Sequence, residues 1–388
     1  MSKSIAIKNP ATGEIIQQIS LHSEGDIEFA LQKSHEAFSS WSRTDAHTRS
    51  RLLKHWAKKI TDHKEELAKL ITMENGKPLS ESAGEVSYAL DYIEWYAEEA
   101  KRLYGKTIPA NHPNKKIIVS RQPVGPVAAI TPWNFPVAMM VRKAAPALAA
   151  GCTFVVKLAT DTPLSGMRFI ELAHKAGIPE FVIQYVNAPG RLAGQLFTES
   201  PFVRKMTFTG STAVGKELIK NSASTVKHVT MELGGHAPVI VAQDANIDHA
   251  VQQIVLNKFR NAGQTCISAN RILVERSIKG TFAQKLAEAV KKLKVGNGLE
   301  EDVQVGPMIH RAGYKKVHAH IEDALLKGGK ILTGHQYDID EEKGVYFVEP
   351  TVIDEVTLDM KLMTEETFGP VAPIIGFSSL EEAVHIAN

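Results

Sequence analysis

Over residues 127–233 the chain alternates short strand-like runs with helix-compatible stretches of about ten to fifteen residues, and this rhythm narrows the fold more than any other feature. The strands are expected at 127–131, 153–158, 181–186, 204–209 and 226–233. Pro136 suits the first position of a helix running to Ala150, where a missing N–H costs nothing. Asp161-Thr162-Pro163 offers a cap and a proline to the next helix, and Gly177 closes it. The pattern predicts an α/β fold with a parallel sheet covered on both faces, in which ligands sit at the carboxyl ends of the strands. At 388 residues the chain is too long for one small core, so a second domain is expected.

Upstream, Leu52, Leu53, Trp56 and Ile60 recur at helical spacing, as do Leu67, Leu70 and Ile71 until Gly76 stops the pattern. Tyr88, Tyr92, Ile93 and Tyr96 line a further helix, and 115–121 predicts an exposed strand, half of a projecting hairpin or arm within 108–125. Apolar content of 44% and charged content of 23% are those of a globular chain. A net charge of +2 without a Lys/Arg block argues against nucleic acid and anionic membrane as partners. No run approaches the roughly eighteen apolar residues of a membrane span, and the N-terminus does not read as a signal peptide. Cys152 and Cys266 make no disulfide framework and fit a reduced, cytoplasmic setting.

Cys266 lies in Gly263-Gln264-Thr265-Cys266-Ile267-Ser268, among small polar residues. It reads as a nucleophile, because a thiolate attacks carbonyl carbon well, or as a small buried hydrophobe. Cys152, between Gly151 and Thr153, reads as packing. Phe208-Thr209-Gly210-Ser211 leads through Gly215-Lys216 into Glu217, close to the signature of a nucleoside-triphosphate loop. Glu217 breaks that signature, which needs a hydroxyl on magnesium at this point, and no G-x-G-x-x-G follows a strand. The loop is either a phosphate cradle at a helix N-terminus or a plain tight turn. His318 and His320, two apart on a helix, point to different sides and do not suggest a metal site.

Five ordered segments resemble the aldehyde dehydrogenase superfamily: Thr131-Pro132-Trp133-Asn134-Phe135-Pro136, Phe208-Thr209-Gly210-Ser211, Met231-Glu232-Leu233-Gly234-Gly235, Gly263-Gln264-Thr265-Cys266, and Glu365-Glu366-Thr367-Phe368-Gly369-Pro370. Within it the chain is most similar to bacterial succinate-semialdehyde dehydrogenases. The resemblance implies a Rossmann-like dinucleotide-binding domain over 1–233, a second α/β catalytic domain over 234–388, and an active site in the cleft between them. It implies Cys266 as nucleophile, Asn134 and the Cys266 N–H as oxyanion donors, and Glu232 as the base that hydrolyses the thioester. Without the motif, Glu232 would read as a capping or ion-paired carboxylate. For the cofactor the resemblance implies Trp133, Asn134, Gly210, Ser211 and Leu233, with Lys157 and Glu366 at the riboses and Phe368 beside the nicotinamide. Leu158 replaces the family's usual proline, and Thr160 stands where NAD-preferring members tend to carry an acid, so NADP is expected and NAD remains acceptable.

Arg142 interrupts an apolar helix and Arg260 precedes Cys266 by six residues. Each needs a partner, either an internal acid or, as the resemblance implies, the distal carboxylate of a short semialdehyde. Ser268 rules out a neighbouring-cysteine disulfide switch. The sequence stops at Asn388, short of the family's usual length, which leaves two expectations: an incomplete catalytic domain with impaired turnover or pairing in a homo-oligomer, or a working enzyme to which the further segment is dispensable. Rival readings are a cysteine-dependent thioesterase or esterase and a dinucleotide-binding relative without catalysis.

Overall fold

In the computed structural model, which describes residues 3–388, the chain divides into two compact units. Gln18–Leu70 and Ala83–Leu233 form most of the first. Ile7–Gln17 and Ile71–Ser82 belong with Gly234–Asn388 in the second, although both precede residue 233 in the chain.

The chain opens with the paired strands β1 (Ser4–Lys8) and β2 (Ile15–Ser20), followed by α1 (Glu24–Trp41), α2 (Ala46–Asp62), α3 (Lys64–Asn75) and α4 (Leu79–Glu99). Leu53, Trp56 and Ile60 of α2 are buried, as the spacing requires, and Gly76 stops α3 with φ +92°. An added Cβ at Gly76 would sit 2.9 Å from Pro307, and the Leu79 N–H donates to the Gly298 carbonyl. An antiparallel hairpin follows, β3 (Lys106–Ile108) with β4 (Ile117–Val119), exposed at every residue.

Strands β5 (Val127–Ile130), β6 (Phe154–Lys157), β7 (Ile183–Val186), β8 (Lys205–Gly210) and β9 (His228–Leu233) form one parallel sheet in the order β7-β6-β5-β8-β9. The helices between them are α5 (Pro136–Ala150), α6 (Leu164–Lys175), α7 (Gly190–Glu199) and α8 (Thr212–Ser222). Strands β5 and β6 are buried throughout, because helices cover both faces. Ala128, Ile130, Val155 and Met206 pack with Ile27 and Leu31 of α1, Phe197 of α7 and Leu218 of α8. Helices α5 and α6 pack on the sheet with α2 against them, and the Trp56 indole donates to the Phe169 carbonyl at 2.9 Å.

Three local expectations are corrected. Helix α6 starts after Pro163 with no side-chain cap; the buried Thr162 hydroxyl instead donates to the Trp133 carbonyl at 3.2 Å. Residues 180–182 form a 3-10 turn, which delays β7 to Ile183. Val226 is 89% exposed with φ +50°, so β9 begins only at His228; as the edge strand, β9 is also less covered than its neighbours.

In the second unit, β10 (Pro238–Val241), β11 (Arg271–Glu275), β16 (Val371–Phe377) and β15 (Thr351–Asp354) run parallel, and β12 (Lys330–Thr333) adds antiparallel to β15. A small hairpin, β13 (Tyr337–Asp340) with β14 (Val345–Val348), precedes β15. Helices α9 (Ile247–Lys258), α10 (Arg276–Val290) and α11 (Arg311–Leu326) close the core around Ile272, Leu273, Phe282, Ile321 and Ile374. Among the described residues no helix is long and apolar enough to cross a membrane.

Candidate active site

In the first unit the expected site residues gather at the carboxyl ends of the strands. The sheet turns direction between β5 and β8, since β6 and β7 extend one way and β9 the other, and ligands bind at such a switch point. Asn134 is 6% exposed on the segment joining β5 to α5, with Trp133 beside it in the chain. Lys157 ends β6; its Nζ donates to the Thr160 hydroxyl at 3.0 Å. Burial pushes the Lys157 ammonium down to about 8, with Asp161 opposing. Gly210 ends β8, and a Cβ there would run into the Phe208 ring. Ser211 caps α8 by accepting from the Val214 N–H at 3.4 Å, and Thr212 and Ala213 leave that helix N-terminus exposed. Leu233 packs so closely that a Cβ on Gly215 would sit 2.5 Å from its Cδ2.

Buried at the same strand ends, the Thr131 and Thr209 hydroxyls lack a hydrogen-bond partner among the described residues. Buried polar groups are rarely left so, and two of them beside an open helix N-terminus and a lysine ammonium match the hydroxyls and phosphates of a dinucleotide. The residues present fit that cofactor.

Glu232 is the penultimate residue of β9, and its side chain is about half exposed. Its Oε1 lies 3.3 Å from Arg142 Nη2, so the structure partners Arg142 with an internal acid. Lys143, unremarked in the sequence, joins them. It is 7% exposed, donates to the Thr207 hydroxyl at 3.2 Å, and is pushed down to about 8 by burial, with Glu232 opposing. A lysine beside an arginine inside Val-Met-Ala helix sequence is the signal that could have found it.

In the second unit, Cys266 is half-buried and in no disulfide, on a segment held by backbone geometry more than by regular structure. After α9, Asn261, Ala262 and Gly263 take φ of +50°, +53° and +72° in succession. Such a left-handed run is costly for residues other than glycine and persists only when its surroundings enforce it. The Glu81 carboxylate accepts from the Asn261 N–H at 2.8 Å. The Gln264 side chain donates to the Asn261 carbonyl at 3.0 Å and accepts from the Ile309 N–H at 3.1 Å. A Cβ at Gly263 would strike the Gly369 carbonyl, and one at Gly235 would lie 3.7 Å from the Cys266 carbonyl oxygen. Arg260 is half-buried at the head of this turn.

Beneath the segment, Lys258 is fully buried, with Nζ donating to Asn270 Oδ1 at 2.9 Å. Burial pushes its ammonium down to about 7, with Glu366 opposing. Glu366 accepts from the Gly235 N–H at 3.4 Å, and burial raises its carboxyl. Phe368 follows with φ +54°. The His320 ring meets the Thr367 hydroxyl at 3.2 Å, whereas His318 packs edge-on against Tyr314. Cys152 is buried, which raises its thiol.

Comparison with known proteins places these features in context. Residues 1–388 match the aldehyde dehydrogenase family. The chain is 49% identical over its whole length to the 3-sulfolactaldehyde dehydrogenase of Pseudomonas putida and covers 79% of that protein. It is likewise 49% identical to the mitochondrial succinate-semialdehyde dehydrogenase of Arabidopsis thaliana, covering 73%. Against the NADP(+) succinate-semialdehyde dehydrogenase of Escherichia coli K12 it is 44% identical and covers 80%. The crystal structure of succinate-semialdehyde dehydrogenase from Burkholderia pseudomallei superposes with a TM-score of 0.97 at 45% identity, over 100% of this chain and 80% of that one.

Proposed function

The chain belongs to the aldehyde dehydrogenase family, and from that premise we propose that it oxidises a short semialdehyde, succinate semialdehyde first, to the acid with NADP or NAD. Supporting this most directly is the Cys266 segment, a half-buried thiol on a left-handed turn pinned by Glu81 and Gln264. A nucleophile gains from being fixed before the substrate arrives.

By this reading the Cys266 thiolate adds to the aldehyde carbon. The alkoxide so formed is held by the Asn134 amide and the Cys266 N–H, each such donor contributing about 3–4 kcal/mol at the transition state. A nicotinamide cofactor, when bound, would supply the hydride acceptor that lets the Cys266 adduct become a thioester. Glu232 then takes a proton from water, which attacks the Cys266 thioester and releases the acid. Lys157, Thr160, Trp133, Gly210, Ser211, Leu233, Glu366 and Phe368 are the residues proposed to hold the cofactor. Thr160 presents a hydroxyl where an acid would repel a 2′-phosphate, which favours NADP.

Arg142 and Arg260 would take the distal anion of the substrate. Arg142 spends one of its donors on Glu232, and the rest of its planar fork suits a carboxylate. Relatives named for succinate semialdehyde, glutarate semialdehyde and 3-sulfolactaldehyde all act on short aldehydes with an acid at the far end. The same reading makes the protein a cytoplasmic homo-oligomer, and the exposed Ile108, Ile117 and Ile118 of the β3–β4 hairpin suit contact with a second copy.

Rapid mixing with NADP or NAD and these three aldehydes tests the proposal. A burst of reduced cofactor is expected in the wild type and not in Cys266→Ala. Ester hydrolysis without nicotinamide, and no burst, would favour the esterase reading instead.

A further inference from the structure

Helix α5 begins without a cap of its own. Phe135 offers no side-chain acceptor, Pro136 has no N–H, and the first intrahelical bond runs from Met139 to the Phe135 carbonyl. The Val137 and Ala138 N–H groups remain, and both residues are fully buried, so water cannot satisfy them. One oxygen takes both: Glu85 Oε1 accepts from Val137 N at 3.0 Å and from Ala138 N at 3.1 Å. Glu85 is itself fully buried on α4, as are Val86 and Ala89 of the same helix. A carboxylate at a helix N-terminus opposes the positive end of the helix dipole and makes charge-assisted bonds stronger than neutral ones.

We propose that Glu85 is a positioning residue for Asn134. The amide of Asn134 lies one residue before the helix cap, so where α5 starts and how it is angled decide where that amide points. The proposal rests on Asn134 being the oxyanion donor. A misplacement of about 1 Å at such a donor costs on the order of 100-fold in rate.

The test compares Glu85→Gln, Glu85→Asp and Glu85→Leu, each alone and with Asn134→Ala. Gln keeps an acceptor oxygen at the right reach, while Asp keeps the charge but falls a methylene short. The expected order of kcat is wild type, Gln, Asp, Leu, with Leu lower by about 100-fold and the aldehyde KM little changed. In the Asn134→Ala background the Glu85 substitutions should cost almost nothing further, because both act through one amide. Asp outperforming Gln, or full additivity with Asn134→Ala, would overturn the proposal. Hydrogen exchange over 132–141 should rise in the Asp and Leu variants and not in Gln; unchanged exchange in Asp and Leu would equally overturn it. Exchange needs no turnover, so it judges Glu85 even if the wild type fails to oxidise any aldehyde, a result that would count against the aldehyde reading alone.

Discussion

Replacing Lys258 with Met tests whether a buried ammonium beneath the Cys266 segment costs the protein stability. Lys258 is fully buried, and burial pushes it from the ordinary 10.5 down to about 7. Between those values the unfolded chain carries a proton that the folded chain has released, so stability rises with pH across that window and the penalty is greatest below pH 7. At about 1.4 kcal/mol for each tenfold step, the penalty is about 4 kcal/mol at pH 7 and about 2 at pH 9. Met fills a similar volume and removes this penalty. It also leaves Asn270 Oδ1 without its 2.9 Å donor, a loss of about 1–3 kcal/mol that does not vary with pH. The informative quantity is therefore the change in the variant's advantage between the two pH values. Urea titrations of wild type and Lys258→Met should show the variant's relative stability falling by about 2 kcal/mol from pH 7 to pH 9. Taking the difference cancels Lys143 and Lys157, which are also pushed down by burial and bias the wild type in the same direction. A change below about 0.5 kcal/mol would refute the reasoning and mean that the ammonium is solvated or compensated.

Glu232→Gln should keep the first burst of reduced cofactor but slow steady-state turnover by about 100- to 10,000-fold, the usual worth of a general base; loss of the burst in rapid mixing would show that Glu232 acts before hydride transfer. Gly263→Ala should lower stability by more than about 1 kcal/mol, since φ is +72° and the new methyl meets the Gly369 carbonyl. An unchanged thermal midpoint would contradict it. Thr160→Glu should shift the NADP-to-NAD ratio of kcat/KM at least about tenfold towards NAD, or about 1.4 kcal/mol, and steady-state kinetics with both cofactors would reveal no shift if Thr160 lies elsewhere.

The central strands were legible because parallel strands buried on both faces, such as β5 and β6, must read as apolar runs. Pro136 likewise announced α5, since its fixed φ and missing N–H suit a first turn. What the sequence hid are relations between distant segments. The Arg142–Glu232 pair joins residues 90 apart, and the Glu85 cap reaches across 52. Thr162 looked like a cap, yet its hydroxyl donates to the Trp133 carbonyl on another loop and makes no capping bond. The left-handed run at 261–263 was not legible either, since Asn261 and Ala262 carry no signal for it and are held there by Glu81 and Gln264.

Ile71–Ser82 takes its place against residues made much later, with Gly76 set on Pro307 and the Leu79 amide on the Gly298 carbonyl. On the ribosome these partners emerge roughly 220 residues afterwards, a delay of ten seconds or more at about 5–20 residues per second. Throughout that interval the nascent stretch lacks these native partners, with only Pro10 already made beside Gly76, so a chaperone has its opportunity there, and slowing translation would lengthen the hazard.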